Sequence, residues 1–322
     1  MASARRVAFN LMTFVPGVGR LPPVQARLRR RAIGAVETSS ARYCYGVWMR
    51  HLATIAESGA SCDFGVVAEL GPGASLGLGL AALLSGAERY YAFDVVRHAA
   101  HARNFAVFEE LVQLFEARAP IPDAAELPYV RPRLTRYEFP HAVLTPARLA
   151  RSLAPERLER IRRSLERVDA PDSMVQYRAP WTDHDVIEDD AVDFVFSQAV
   201  FEHIDDLPGA YRTIRRWLRP EGLASHTIDF RSHGWSSAWD GHWGYSDLAW
   251  KLIRGRDVWS INREPCSTHR RLIAENGFRI IAEQLSHSPA TLPRRRLAPR
   301  FRGMPEEDRT VSGAYFLCAK PL

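Results

Sequence analysis

The stretch VVAELGPGASLGLGLAALLSGAERYYAFDVV, Val66 to Val96, constrains the fold of this chain more than any other segment. Phe64–Glu69 is short, β-branched and apolar, the pattern of a buried strand. It breaks at Gly71-Pro72-Gly73, where glycine permits unusual φ values and lets backbone approach a ligand closely. Ser75–Ser85 reads as a helix stopped by Gly86 as a C-cap. Arg89–Phe93 is aromatic-rich and reads as a second strand, followed at once by Asp94. Strand, glycine turn, helix and strand in that order form a unit of an α/β fold.

The alternation continues along the 322 residues, a length that suits one large domain or two small ones. A helix is predicted from Val96 to about Arg118, a third strand in MVQYRA, a fourth over Val192–Gln198 and a helix in AYRTIRRWLRPEG. LASHTIDF, RIIAEQ and GAYFLCAK supply three more strands, with a helix in HRRLIAENGF. The pattern predicts an α/β domain with a mainly parallel sheet. Prolines at 120, 122, 128, 132 and 140 and an arginine-rich helix interrupt it, so residues 119–172 read as a helical insertion. Residues 1–60 read as an N-terminal helical arm or lid, and 61–322 as the main domain with a substrate-side loop at 229–265.

A net charge of +6 raises the question of an acidic partner. Yet the basic residues are almost all arginine and alternate with acids and aliphatics, as in RLERIRRSLERVD, the mark of a solvated helical face. No basic stripe interleaved with aromatics appears, so no nucleic-acid partner is expected. Cys44, Cys62, Cys266 and Cys318 are far apart and form no CxxC pair, which fits a reducing compartment without structural zinc or disulfides. The N-terminal apolar stretch is interrupted at Asn10 and Thr13 and stops at Pro16, too short to span a bilayer. A cytoplasmic protein without integral membrane association is expected.

In a doubly wound sheet, ligands sit outside the carboxyl ends of the strands. Gly71 and Gly73 fall there, and Asp94 lies about 20 residues downstream, where an acid can bind ribose hydroxyls. The plain alternative is a tight turn followed by a helix-capping aspartate. A nicotinamide site is a second alternative, but GxGxxG needs glycine where this chain has Leu76. Glu69, two residues before the first glycine, suits a cationic ligand carrying an amino group and a sulfonium. On that reading Glu69 and Asp94 face a common cleft.

ELGPGAS followed by YYAFD resembles the first two motifs of class I S-adenosylmethionine-dependent methyltransferases. DDAVDFVFSQAVFEHIDDL and the helix and strand after it are similar to that superfamily's fourth-strand region. The segment from DFRSHGWSSAWDGHW to THRRLIAENGF further resembles a bacterial subgroup. The resemblance implies a seven-stranded, mostly parallel, doubly wound Rossmann-like sheet with the last strand antiparallel, N-terminal helices and a helical insertion. It implies S-adenosylmethionine as cofactor, with Glu69, Gly71 and Gly73 at its methionine part and Asp94 at its ribose. It also implies Asp183 near adenine and Ser197 and Gln198 on the methionine side.

Methyl transfer from a sulfonium is an in-line displacement, in which orientation can lower the barrier by roughly 7–11 kcal/mol. An alcohol or ammonium acceptor also has a proton to lose, and a base adds about 10²–10⁴-fold. Histidine suits that role near neutral pH. Glu202–His203, just past the fourth strand, is the first candidate and His226 the next; a structural histidine at 203 is the bland alternative. The segment after the fifth strand is dense in histidine and tryptophan. Asp229, His233, Trp239, His242 and Trp243 are expected to contact an acceptor, with Tyr43 reaching it from the arm. Asp229 and His233 have i,i+4 spacing, but Gly234 and nearby serines favour a loop, so no metal is expected. The function predicted is methyl transfer to oxygen or nitrogen of a small molecule, sugar-derived or a secondary metabolite. The rivals are a nicotinamide-dependent oxidoreductase and a non-catalytic cofactor-binding scaffold.

Overall fold

The computed structural model describes residue 10 and residues 36–99, 101–181, 185–257 and 260–322. Helix α1 (Ala41–Glu57) starts at Ser40, whose hydroxyl accepts from the Tyr43 N–H and so satisfies one donor of the first turn. The unit read from the sequence follows as β1 (Val66–Leu70), α2 (Gly77–Leu84) and β2 (Arg89–Phe93), then α3 (His101–Glu116). The insertion carries α4 (Pro146–Ser152) and α5 (Pro155–Glu166). Next come β3 (Val175–Arg178), β4 (Val192–Gln198), α6 (Leu207–Trp217) and β5 (Leu218–Asp229). Helices α7 (Asp247–Arg254) and α8 (Cys266–Glu275) precede the hairpin of β6 (Arg279–His287) and β7 (Val311–Ala319).

The seven strands lie in the order β3-β2-β1-β4-β5-β7-β6. β1 through β5 pair in parallel, and β7 runs antiparallel to both of its neighbours. Because strand side chains alternate in direction, Val67, Tyr90, Phe194 and Phe196 pack on one face with α1, α2 and α3. Leu70, Phe93 and Val195 pack on the other with Tyr211, Ile214 and Trp217 of α6. Strand order reverses between β1 and β4, so the crevice for a ligand opens at the carboxyl ends of β1, β2 and β4.

Among the boundaries that differ from the periodic pattern, three show a local cause. α2 begins at Gly77, where the Ser75 hydroxyl donates to the Thr38 carbonyl and accepts from the Gly77 N–H at 3.2 Å, while Asn104 Oδ1 accepts from the Leu76 N–H at 2.9 Å. α3 begins at His101, since the backbone before it serves other partners: His98 N–H donates to the Tyr177 hydroxyl at 2.9 Å. β5 reaches back to Leu218, with the exposed residues 219–221 looping out where its register against β4 shifts.

The insertion is bolted to α1. The fully buried Arg50 guanidinium donates to four carbonyls of the proline-rich segment, those of Val130, Pro132, Pro122 and Asp123, at 2.8–3.1 Å. Among the described residues no helix is long and apolar enough to cross a membrane.

Candidate functional site

A cleft of about 1630 Å³ occupies the switch point. Its floor is the turn after β1. Gly71 and Gly73 take φ of +70° and +74°, where a side chain is strained. A Cβ on Gly71 would also stand 2.5 Å from a Val200 methyl carbon. The Gly71 N–H donates to the Phe93 carbonyl at 2.7 Å, tying the turn to the end of β2. From the N-terminal side the Thr38 hydroxyl accepts from the Ala74 N–H at 3.0 Å, and Thr38, Ser39 and Tyr43 form a wall.

Asp94 faces this cleft. Its carboxylate accepts from the Val95 N–H at 2.7 Å. Burial pushes its pKa up, against the opposing pull of His98 and of the Val95, Val96 and Gly73 N–H groups. Gln198 lines the same cavity, and its amide oxygen is buried with no hydrogen-bond partner among the described residues. Phe93, Val95 and Trp181 supply an apolar patch beside Asp94. Asp183 lies outside the described residues.

Glu69 and Ser197 are not in the cleft. Glu69 is 2% exposed and accepts from the Tyr90 hydroxyl at 2.5 Å beneath α2. Burial pushes its carboxyl up to about 8, with the charge of Asp94 adding to the effect. The expected pair of carboxylates facing one cavity is therefore corrected: Asp94 lines it and Glu69 braces the turn from below. Odd and even positions of β1 point to opposite faces, and Glu69 is on the α2 side. Ser197 is fully buried, with its hydroxyl 2.8 Å from His226 Nδ1.

Beyond β4 the chain makes a single 3₁₀ turn, Phe201–His203, which carries His203 into the cleft. Glu202 points the other way and is buried, with its carboxyl pushed up to about 8 by desolvation despite His233 nearby. His233 Nε2 stands 4.0 Å from Glu202 and 3.4 Å from Asp229, and its ring centroid is 5.2 Å from that of His203. Burial alone raises the Asp229 carboxyl, but hydrogen bonds from His233 and Arg231 win and hold it well below the usual range. For His233 burial favours the neutral ring, and the Asp229 hydrogen bond with the charge of Glu202 reverses that and raises its pKa. This group joins the ends of β4 and β5 immediately behind His203.

His226 cannot reach the cleft from its place in the core. Its ring lies tilted against Phe201 with centroids 4.3 Å apart, and burial, with His51 and His269 adding, pushes its pKa down to about 3. The loop after β5 is also corrected. Trp239 and Trp243 pack with Leu297, Phe301 and Met304 in a satellite core, and the Trp243 indole donates to the Arg263 carbonyl at 3.0 Å. His242 is 1% exposed against Trp243, and burial pushes it down to about 3. These side chains fill space between the loop and residues 297–304. Among the described residues no cluster of His, Cys, Asp and Glu has the makings of a metal site.

Trp250, Lys251 and Arg254 of α7, with Asn262 and Arg263, also line the cleft. Sequence reading missed these, together with Thr38 and Trp181. Only Trp181 had a signal at hand, an aromatic directly after the third strand.

Residues 149–225 match the family model described as a methyltransferase domain. A putative S-adenosylmethionine-dependent methyltransferase from Listeria monocytogenes is 14% identical over 87% of this chain and 98% of its own, with a TM-score of 0.41. The structure of the Haloferax volcanii Trm112 methyltransferase activator with a putative methyltransferase gives 16%, 86% and 91%, again at 0.41. Phosphoethanolamine N-methyltransferase 2 from Haemonchus contortus, in complex with S-adenosyl-L-methionine, gives 15%, 85% and 53%, at 0.41. No curated protein matches the chain. The matched residues run from α4 into β5 and include β3, β4 and α6 of the parallel part of the sheet. The group that the sequence resemblance implies is S-adenosylmethionine. The residues present fit that group: a glycine turn that excludes side chains, a strand-end carboxylate and a buried amide oxygen lacking a donor.

Proposed function

We propose that the chain transfers a methyl group to an oxygen or nitrogen of a small-molecule acceptor, with His203 taking the acceptor's proton. Gly71 and Gly73 would hold the methionine part of the cofactor, Asp94 its ribose hydroxyls, and Val95 with Trp181 its adenine. The bound cofactor supplies an activated methyl on a sulfonium. The chain's own work is then to align the acceptor, exclude water and hold a base at the point of attack. The observation that carries this reading is that His203 lines the same cavity as the glycine turn, Asp94 and α7. His233, paired with Asp229, lies behind it. The cleft's volume suits a cofactor plus a small acceptor.

The test is incubation with methyl-labelled S-adenosylmethionine and, in parallel, a panel of hydroxylated and amino small molecules, a protein extract and nucleic acids. Label in a low-mass product is expected. Label confined to protein or nucleic acid would overturn the acceptor class.

A further inference from the structure

Asn262 sits in the cleft wall between α7 and the turn that carries His203. Its backbone N–H and both side-chain polar atoms are engaged, and three of their four hydrogen bonds go to that turn. Its backbone N–H donates to the Glu202 carbonyl at 2.6 Å. Its side-chain Nδ2 donates to the carbonyls of Phe201 and Ile204 at 2.7 and 2.8 Å. Its Oδ1 accepts from the Glu264 N–H at 2.9 Å. The turn's own backbone bonds are His203 N–H to Val200 at 2.8 Å and Ile204 N–H to Phe201 at 3.3 Å, and the buried Phe201 ring anchors its start against Tyr211 and His226. A single 3₁₀ turn of three residues depends on such outside partners, and Asn262 supplies those of its carbonyls.

The next residue secures the other end. Arg263 is buried at φ +75°, a conformation non-glycine residues seldom adopt and which persists where surroundings enforce it. Its guanidinium lies 5.0 and 5.1 Å from the Trp250 and Phe301 ring centroids, pairs with Asp247 at 2.6 Å and donates to the Tyr245 carbonyl at 2.6 Å. Residues 262 and 263 thus form a strap: one grips the His203 turn, the other grips α7 and the satellite core.

We infer that Asn262 is a positioning residue, fixing His203 at the junction of the cofactor and acceptor sides of the cleft by clamping three carbonyls of the 201–204 turn. The inference rests on the reading of His203 given above and adds the residue through which the acceptor wall reports to it.

The test needs no acceptor. The His203 imidazole is followed by nuclear magnetic resonance across a pH titration, with and without S-adenosylhomocysteine. In the unaltered protein the product-like probe is expected to perturb His203. In Asn262→Ala that perturbation is lost, while S-adenosylhomocysteine affinity stays within about threefold and the denaturation midpoint is little changed. Asn262→Asp, an isosteric acceptor-only side chain at neutral pH, has the same effect or a larger one. Asn262→Ser keeps one donor and gives an intermediate response if the alanine variant fails to fold. A His203 titration in Asn262→Ala and Asn262→Asp that superimposes on the original would overturn the inference alone. Failure of the probe to perturb His203 in the unaltered protein would overturn both the inference and the placement of His203 as the base.

Discussion

On the cofactor wall the residues that shape the cleft stand at strand ends: Gly71 and Gly73 after β1, Asp94 after β2, Gln198 at the end of β4. On the wall proposed for the acceptor the contacts leap along the chain, with Asn262 bonding carbonyls 58 and 61 positions away and the Arg254 guanidinium pairing with Asp205, 49 positions earlier. The first wall follows once the sheet has formed, because topology alone brings those strand ends together. The second exists only when the last third of the chain has packed.

His203→Ala is the severest test of this division. Turnover should fall by about 10²–10⁴-fold while S-adenosylmethionine affinity, measured calorimetrically, holds. Equal loss in both would mean that the histidine belongs to the cofactor wall. Trp243→Ala should cost about 3–5 kcal/mol in a denaturant titration, since it empties the satellite core, yet leave cofactor affinity intact. A stable Trp243→Ala protein with lost turnover would return that tryptophan to the acceptor. Asp94→Ala should weaken S-adenosylmethionine roughly 100-fold, about 3 kcal/mol, without unfolding the chain. Unchanged affinity would remove Asp94 from the ribose.

The smallest effect concerns the buried carboxyls. Glu202 has its pKa raised to about 8, above its ordinary value of 4.5, so the folded chain holds a proton that the unfolded chain releases. The resulting stability is fully present below about pH 4.5 and is lost as pH rises through about 8, at up to about 1 kcal/mol per pH unit. Glu69 behaves alike on the cofactor side. Glu202→Gln should therefore flatten part of the decline in denaturation midpoint between pH 5 and 8 and leave the share due to Glu69. An unaltered slope would show that Glu202 is already ionised.

The same division explains what could be read in the sequence. The glycine turn and Asp94 carry local signals, a φ requirement and an acid at a strand end, and they stand where those signals put them. Glu69 carried a signal as well, but an acid beside a glycine turn does not disclose which face of β1 it takes. Trp239, His242 and Trp243 were misjudged because their density says nothing of residues 297–304, which fold over them. Asn262 had no signal: the carbonyls it clamps belong to a turn some sixty residues earlier.

Arg50 bears on how the molecule could be pared down. Trimming the proline-rich segment would strip four carbonyls from a guanidinium that has no carboxylate hydrogen-bond partner among the described residues, leaving a bare cation inside the protein. A shortened version must therefore replace this arginine with an apolar residue at the same time. The helix before β1 and the stretch after α3 behave as one inheritable block, to be kept or discarded together.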